Sequence, residues 1–280
     1  MKWYLGGIAG DELASLERVK KGQLDGQAGV AFCQTLGVSM RAMRMPGLFR
    51  SRDEALFVLG RLKQNLDAEF RANGFAFMGW ASFGFDAVFS RTPVRTLADL
   101  RKSKMWIWNL DPLWVPMGPA MNLNLAPSPV GDAATVFDTQ HLDGFIAAPT
   151  AALAFQWTTQ TKYFTPLETS FLPGCAVLSL STFESLTVEQ REIVKSAAAK
   201  FLARFTDLNS VTDHALLTGL LEKQGMKRVE VSESLRAEYL AAAREGRDRL
   251  APSVVPKELI EKILGWLNEY RAERHSAVHK

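Results

Sequence analysis

The sequence predicts an α/β fold, and three observations carry that prediction. Apolar and aromatic runs recur that are too short for helices, among them Met105-Trp106-Ile107-Trp108 and Phe75 to Ser82. Capping signals stand ahead of longer segments: Ser51 with Glu54, Thr96 with Asp99, and Thr187 with Gln190. The segment opened by Thr187 contains neither proline nor glycine as far as His214, and it can persist to Lys223 before Gly225 ends it. Roughly thirty residues at about 1.5 Å each give a helix about 50 Å long.

Taken in order, Lys2 to Leu5 reads as a short strand turned by Gly6-Gly7. Asp11-Glu12 puts acid into the first turn of a helix that ends at Gly22. Asp25 to Phe32, rich in small residues, reads as a strand and its turn. The Ser51 helix runs to about Ala72 and stops at Asn73-Gly74. In the strand that follows, Phe75 and Phe77 share one face while Met78 and Trp80 share the other. Phe85 to Ser90 is a further strand.

The Thr96 helix carries Arg101 and Lys102 in its second turn and leads into Met105-Trp106-Ile107-Trp108. The two indoles are two residues apart, so on a strand they point the same way. Asn109, Asp111 and Pro112 then turn the chain. An open α/β sheet places its ligand at such a carboxyl end. Two core tryptophans under a covering helix are the competing reading.

Pro112, Pro116 and Pro119 break the stretch from Asp111 to Leu123 into pieces. Trp114, Met117 and Met121 there suit either a soft binding wall or ordinary core. Ala133 to His141 reads as a short helix and Leu142 to Ile146 as a strand. Pro149 suits the first turn of a helix carrying Phe155, Gln156 and Trp157, its free amides and the Thr150 hydroxyl turned to a cleft. Lys162 to Leu167 and Cys175 to Leu180 read as strands, and helices over Ser232 to Arg249 and Pro256 to Arg274 close the chain.

Composition narrows the function classes. At 280 residues the chain can bury a large core in one or two domains, and 47% hydrophobic with 22% charged residues describes an ordinary globular protein. A net charge of +3 with both signs interspersed leaves no nucleic-acid footprint. Arg271, Arg274 and Lys280 read as a solvated helix face and tail. Cys33 and Cys175 lie far apart without a C-x-x-C pattern, which argues against a metal site or a disulfide scaffold, and Cys175 reads as a buried, inert thiol. No stretch reaches the roughly 18–20 apolar residues of a membrane span.

Catalytic patterns are missing. Glycines 6, 7 and 10 make no phosphate cradle, and neither G-x-S-x-G nor H-E-x-x-H occurs. Histidines 141, 214, 275 and 279 are scattered, and Asp138 with Asp143 suits a turn better than acid–base work. No catalytic residue, metal or cofactor is expected, and the chain is not expected to be an enzyme.

Four segments in order carry a family resemblance: "GGIAGDELASLERVKKGQLDG", "MPGLFRSRDEALFVL", "PVRTLADLRKSKMWIWN" and "LDGFIAAPTAAL". They resemble the TRAP-transporter solute-binding proteins of the DctP type, from Lys2 to about Gly225. The resemblance implies a two-lobed periplasmic-binding-protein-like α/β fold with a long helix along the back of both lobes. Residues 1–90 with about 182–225 would form one lobe, and 91–181 with about 226–280 the other. It also implies a periplasmic receptor, monomer or dimer, that takes a small molecule into the interlobe cleft and passes it to TRAP permease subunits, with no role for nucleic acid. Such proteins usually open with a strand and a long helix ahead of the segment that starts here at Lys2. We therefore expect that pair, and a signal peptide, upstream of this chain.

The departures from the family bear on the ligand. Trp106 stands where the resemblance places the arginine that clamps a carboxylate, Val30 near a polar contact, and Asp86 near a basic contact on the crossing strand. An arginine–carboxylate clamp is bidentate and charge-assisted, whereas an indole offers one N–H and an apolar face. The expected ligand is accordingly apolar or amphipathic, bounded by Trp80, Trp106, Trp108, Trp114 and Phe145. Asn109, Thr150 and Gln156 are the expected polar contacts, with a cation held over the indoles beside Asp111 as a variant. Two alternatives stay open: a sensory or interaction module without transport, and an organic-acid receptor with a different anion contact.

Overall fold

The computed structural model describes residues 2–5 and 7–278. Gly6, His279 and Lys280, named above in a turn and a tail, lie outside the described residues. Among the described residues nine strands form two sheets: β1 (Gly26–Gly29), β2 (Phe75–Phe85), β3 (Ala87–Ser90), β4 (Met105–Trp108), β5 (Leu125–Ser128), β6 (Gly144–Ala147), β7 (Tyr163–Thr165), β8 (Phe171–Ser179) and β9 (Lys227–Arg228). The smaller sheet has the order β1-β8-β2, and the larger β5-β4-β6-β3-β7-β9. The two sheets head two lobes: one core packs on a single face of the larger sheet, while the other surrounds the smaller sheet and continues under the larger sheet's opposite face.

Two extended segments cross between the lobes, from β2 to β3 through Asp86 and from β7 back to β8, and the long helix after β8 returns the chain to the larger sheet at β9. The crossings are bonded to each other: the Asp86 N–H donates to Ser170 O at 3.0 Å and the Thr169 N–H to Asp86 O at 2.9 Å. Behind them runs a helical spine of 36 residues, α-helical over Val188–Ala215 and continued by Leu216–Leu220 and Leu221–Lys223. It opens on the Thr187–Gln190 capping box read from the sequence. Leu202, Thr206, Asn209 and Asp213 are its buried face, and the Thr206 hydroxyl accepts the Ser82 N–H of β2 at 3.0 Å.

Several local expectations need correction. Lys2 to Leu5 is not a strand, and its exposed residues pair with no sheet edge among the described residues. The Ser51 helix is two, Arg52–Arg61 and Lys63–Ala72, joined at the fully buried Leu62. The helix after Ala148 ends at Ala154 and does not carry Phe155, Gln156 and Trp157. Gln156 is left-handed at φ +58°, which stops the helix and swings Trp157 into the larger lobe's core.

The cysteines are a larger correction. Cys33 and Cys175 form a disulfide, with Cα atoms 5.9 Å apart across a sequence separation of 142 residues. β1 and β8 run antiparallel with Gly29 opposite Cys175, and the helix that follows β1, Ala31–Leu36, returns Cys33 over that position. Spacing along the chain carries no trace of such a pairing, because only the strand register brings the two together.

Candidate functional site

Three of the expected aromatic contacts are core residues. Trp106 is 2% exposed; its Nε1–H donates to Ser128 Oγ on the neighbouring strand at 2.7 Å, and its ring meets Trp157 edge-on at 4.6 Å. Phe145, fully buried, packs against Trp157 and Phe137. Trp114 belongs to the other core and donates its Nε1–H to Ser170 Oγ at 3.1 Å. Trp108 is half-buried beside the Trp106 cluster, as shared strand parity requires, while Trp80 is half-buried on the smaller sheet opposite Cys175. Asn109 is exposed, and so is Gln156, which lines an open surface hollow with Leu153, Thr158 and Met226. The structure thus groups Trp106 with Phe145 and Asp111 with Trp114, and leaves Trp80, Asn109 and Gln156 apart. Replacing Trp106 by phenylalanine is expected to cost about 1–3 kcal/mol, since Ser128 loses its partner inside the core; urea denaturation reads this directly.

A charged cluster that the sequence reading passed over joins the lobes. Arg44, at the end of the helix Val38–Met43, is buried. Its Nη1 lies 2.6 Å from Asp86 Oδ2 and 2.7 Å from Ser170 Oγ, and its Nε donates to Asp111 Oδ2 at 2.8 Å. Ser170 Oγ in turn donates to Asp86 Oδ2 at 3.2 Å. Asp111 Oδ1 is spent on the N–H groups of Leu113 and Trp114. Asp86 Oδ1 is buried and has no hydrogen-bond partner among the described residues. With all three groups ionised, two carboxylates face one guanidinium. Burial raises the Asp86 carboxyl above the usual carboxylate range despite Arg44 beside it. Arg44 could have been suspected from its setting: an arginine among buried Met40, Met43, Met45 and Leu48 is no ordinary surface cation.

Beside Asp86 lies a cavity of about 270 Å³ where both crossings meet the spine. Arg50, Arg52, Ser82 and Gly84 border it from the smaller-sheet side, Ala87 and Pro166 from the larger, and Ser210, Asp213, His214 and Leu217 from the spine. The hollow at Gln156 is larger, about 370 Å³, but its lining includes no residue of either crossing.

Asp213 is the second unusual acid here. Its Oδ1 accepts the Thr150 N–H at 3.1 Å, and Asn209 Nδ2 donates to Oδ2 at 3.2 Å. The amide end expected to face a ligand is therefore held in part by the protein's own carboxylate. Gly84 stands against that carboxylate at φ +83°, a position where a side chain would meet Asp213. Burial pushes the Asp213 carboxyl up to about 7, against the Thr150 and Asn209 bonds and with Asp86 adding repulsion. An acid raised in the folded state favours folding at low pH, and that advantage is lost as pH climbs from about 4 through about 7. Asp213→Asn is thus expected to raise the melting temperature at pH 8 and leave it nearly unchanged at pH 4, as thermal melts at both values would reveal.

Near Val30 the helix Ala31–Leu36 is closed off by Glu12. The Glu12 carboxylate accepts the N–H groups of Val30, Ala31 and Phe32 at 2.7–3.2 Å. Gly29 gives it room, for a Cβ there would sit 2.6 Å from the carboxylate.

Comparison with known proteins places this architecture. The model of the bacterial extracellular solute-binding proteins, family 7 (DctP), matches residues 1–251. A solute-binding protein of Chromohalobacter salexigens is 21% identical over 200 residues, covering 70% of this chain; the chain spans 59% of that relative's length. Among solved structures, the TRAP periplasmic solute-binding protein of Desulfovibrio desulfuricans, with bound sn-glycerol-3-phosphate, superposes with a TM-score of 0.86 at 18% identity, covering 95% of this chain and 84% of that one. The Xanthobacter autotrophicus protein, with bound beta-D-galacturonate, gives 0.81 at 24% identity, covering 92% and 85%. The Haemophilus influenzae protein, with bound L-gulonate, gives 0.84 at 19%, covering 93% and 86%. Among the described residues no helix is long and apolar enough to cross a membrane. Members of this group are solute-binding proteins rather than enzymes. Matched over most of its length, the chain belongs to family 7 of the bacterial extracellular solute-binding proteins.

Proposed function

We propose that this chain is the periplasmic receptor of a TRAP transporter, and that it holds a small apolar or amphipathic solute between its lobes and delivers it to the membrane permease. The observation that carries the reading is the cavity of about 270 Å³ at the two crossings, bordered by both lobes and the spine, where closure would enclose a solute. The family membership and the Cys33–Cys175 disulfide, a bond that persists in oxidising compartments, support export.

The ligand class rests on three positions. Val30 is apolar and nearly buried, Asp86 is acidic, and Trp106 is committed to Ser128 and Trp157. None of the three supplies a guanidinium to grip an acid. Phe85, Ala87, Pro166 and Leu217 give the cavity an apolar side. Mass spectrometry of small molecules released from native protein by denaturation tests this reading. A solute without a carboxylate, present in stoichiometric amount, is the expected result; a dicarboxylate or sugar acid in that amount would overturn the ligand class. Uptake in proteoliposomes holding the permease tests delivery. One observation favours the second reading, an organic acid held differently: Arg50 and Arg52 border the same cavity, and Arg52 Nε is buried with no partner among the described residues.

A further inference from the structure

We infer that the interlobe cavity takes a solute carrying a protonated amine, whose N–H groups donate to Asp86 Oδ1 with Asp213 as the second acidic wall. The inference rests on the receptor reading above and names the chemistry of the solute's polar end.

Three features converge on it. Asp86 borders the cavity, and its buried Oδ1 lacks a partner among the described residues, although the twin oxygen is held by Arg44 and Ser170. A buried oxygen in that state is costly unless a donor reaches it. With both acids ionised the cluster behind it is one positive charge short, since Arg44 serves both Asp86 and Asp111, and a cation in the cavity would favour that ionised state. Asp213 lines the same cavity from the spine, and among the described residues its oxygens are engaged by the neutral donors Thr150 and Asn209. An ammonium group supplies the missing charge and the missing donor together, and in a closed, dry site each counts for more than in water. The apolar flank then receives the rest of an amphipathic amine. An anion entering the same space would meet Asp86 and Asp213 directly, with help only from Arg50 and Arg52 at the margin.

The pH response follows from the groups around Asp213: Asp86 on the same cavity, Thr150 and Asn209 as donors, His214 beside it on the spine, and Arg50, Arg52 and Glu168 along the border. With its carboxyl at about 7, Asp213 is mostly neutral at pH 6 and mostly ionised at pH 8. An ammonium that draws on the ionised form binds about tenfold more tightly at the higher value.

Titration calorimetry with the matched probes benzylamine, benzyl alcohol and benzoate tests the inference, because they share a body and differ in charge. Benzylamine is expected to bind about tenfold more tightly than benzyl alcohol at pH 8, with benzoate weakest. Asp86→Asn should remove the tenfold preference for benzylamine over benzyl alcohol. Asp86 also pairs with Arg44, so circular dichroism checks that variant's fold. Asp213→Asn, which touches no ion pair, should abolish the gain between pH 6 and pH 8. Benzoate outbinding benzylamine would overturn the amine assignment and leave the receptor reading standing, and equal affinities for benzylamine and benzyl alcohol would do the same. No binding by any probe also overturns the amine assignment, and the copurified solute then decides the receptor reading separately.

Discussion

Replacing Arg44 by methionine is expected to lower stability by about 3–5 kcal/mol, the usual cost of breaking a buried ion pair by removing one partner. Methionine fills the space, but Asp86 and Asp111 are then left facing each other in the interior without a counter-charge. They can stay buried only by taking up protons. The loss is therefore expected to be larger at pH 8 than at pH 5, and urea denaturation at both values reads it. A loss below about 1 kcal/mol at pH 8 would mean that the pair behaves like an exposed one. The effect reaches beyond stability. Arg44 comes from the smaller-sheet lobe, whereas its partners stand on the crossing and at the end of β4, so the bond ties the hinge to both lobes.

Removing the disulfide through Cys33→Ala with Cys175→Ala is expected to cost about 3–5 kcal/mol, because a bridge closing so long a loop restricts the unfolded chain strongly. The bridge spans 142 residues and fastens the helix Ala31–Leu36 to β8, the strand that returns from the larger lobe. Both cysteines are buried, so alanine leaves small cavities that add to the loss. Denaturant midpoints of native and double-variant protein, measured without reductant, give the difference. Coinciding midpoints would remove the bridge from the stability of this fold.

Much of the architecture was legible because its signals are local. The capping boxes at Thr96 and Thr187 are present as read, the strand Met105–Trp108 has its two indoles on one face, and the spine is regular α-helix over its breaker-free stretch to Ala215, then kinks at Gly219 before it continues to Lys223. Each depends on neighbours within a few residues, where spacing and hydrogen-bond geometry leave few choices. The break at Leu62 and the left-handed Gln156 were missed for the opposite reason: distant packing at Leu62 and Trp157 overrides an uninterrupted helical pattern.

The substitutions at Val30, Asp86 and Trp106 were visible in the chain, and they already spoke against the usual grip on an acid. What those residues do instead was decided only in three dimensions. Arg44 meets Asp86 and Asp111 from 42 and 67 positions away, and Asp213 reaches the cavity from the far end of the spine. Trp106 finds Ser128 and Trp157 only through the order of strands in the larger sheet. Periodicity and caps are properties of consecutive residues and can be read along a line. Charge pairing, desolvation and a shared cavity depend on distances through space, and folding alone sets those.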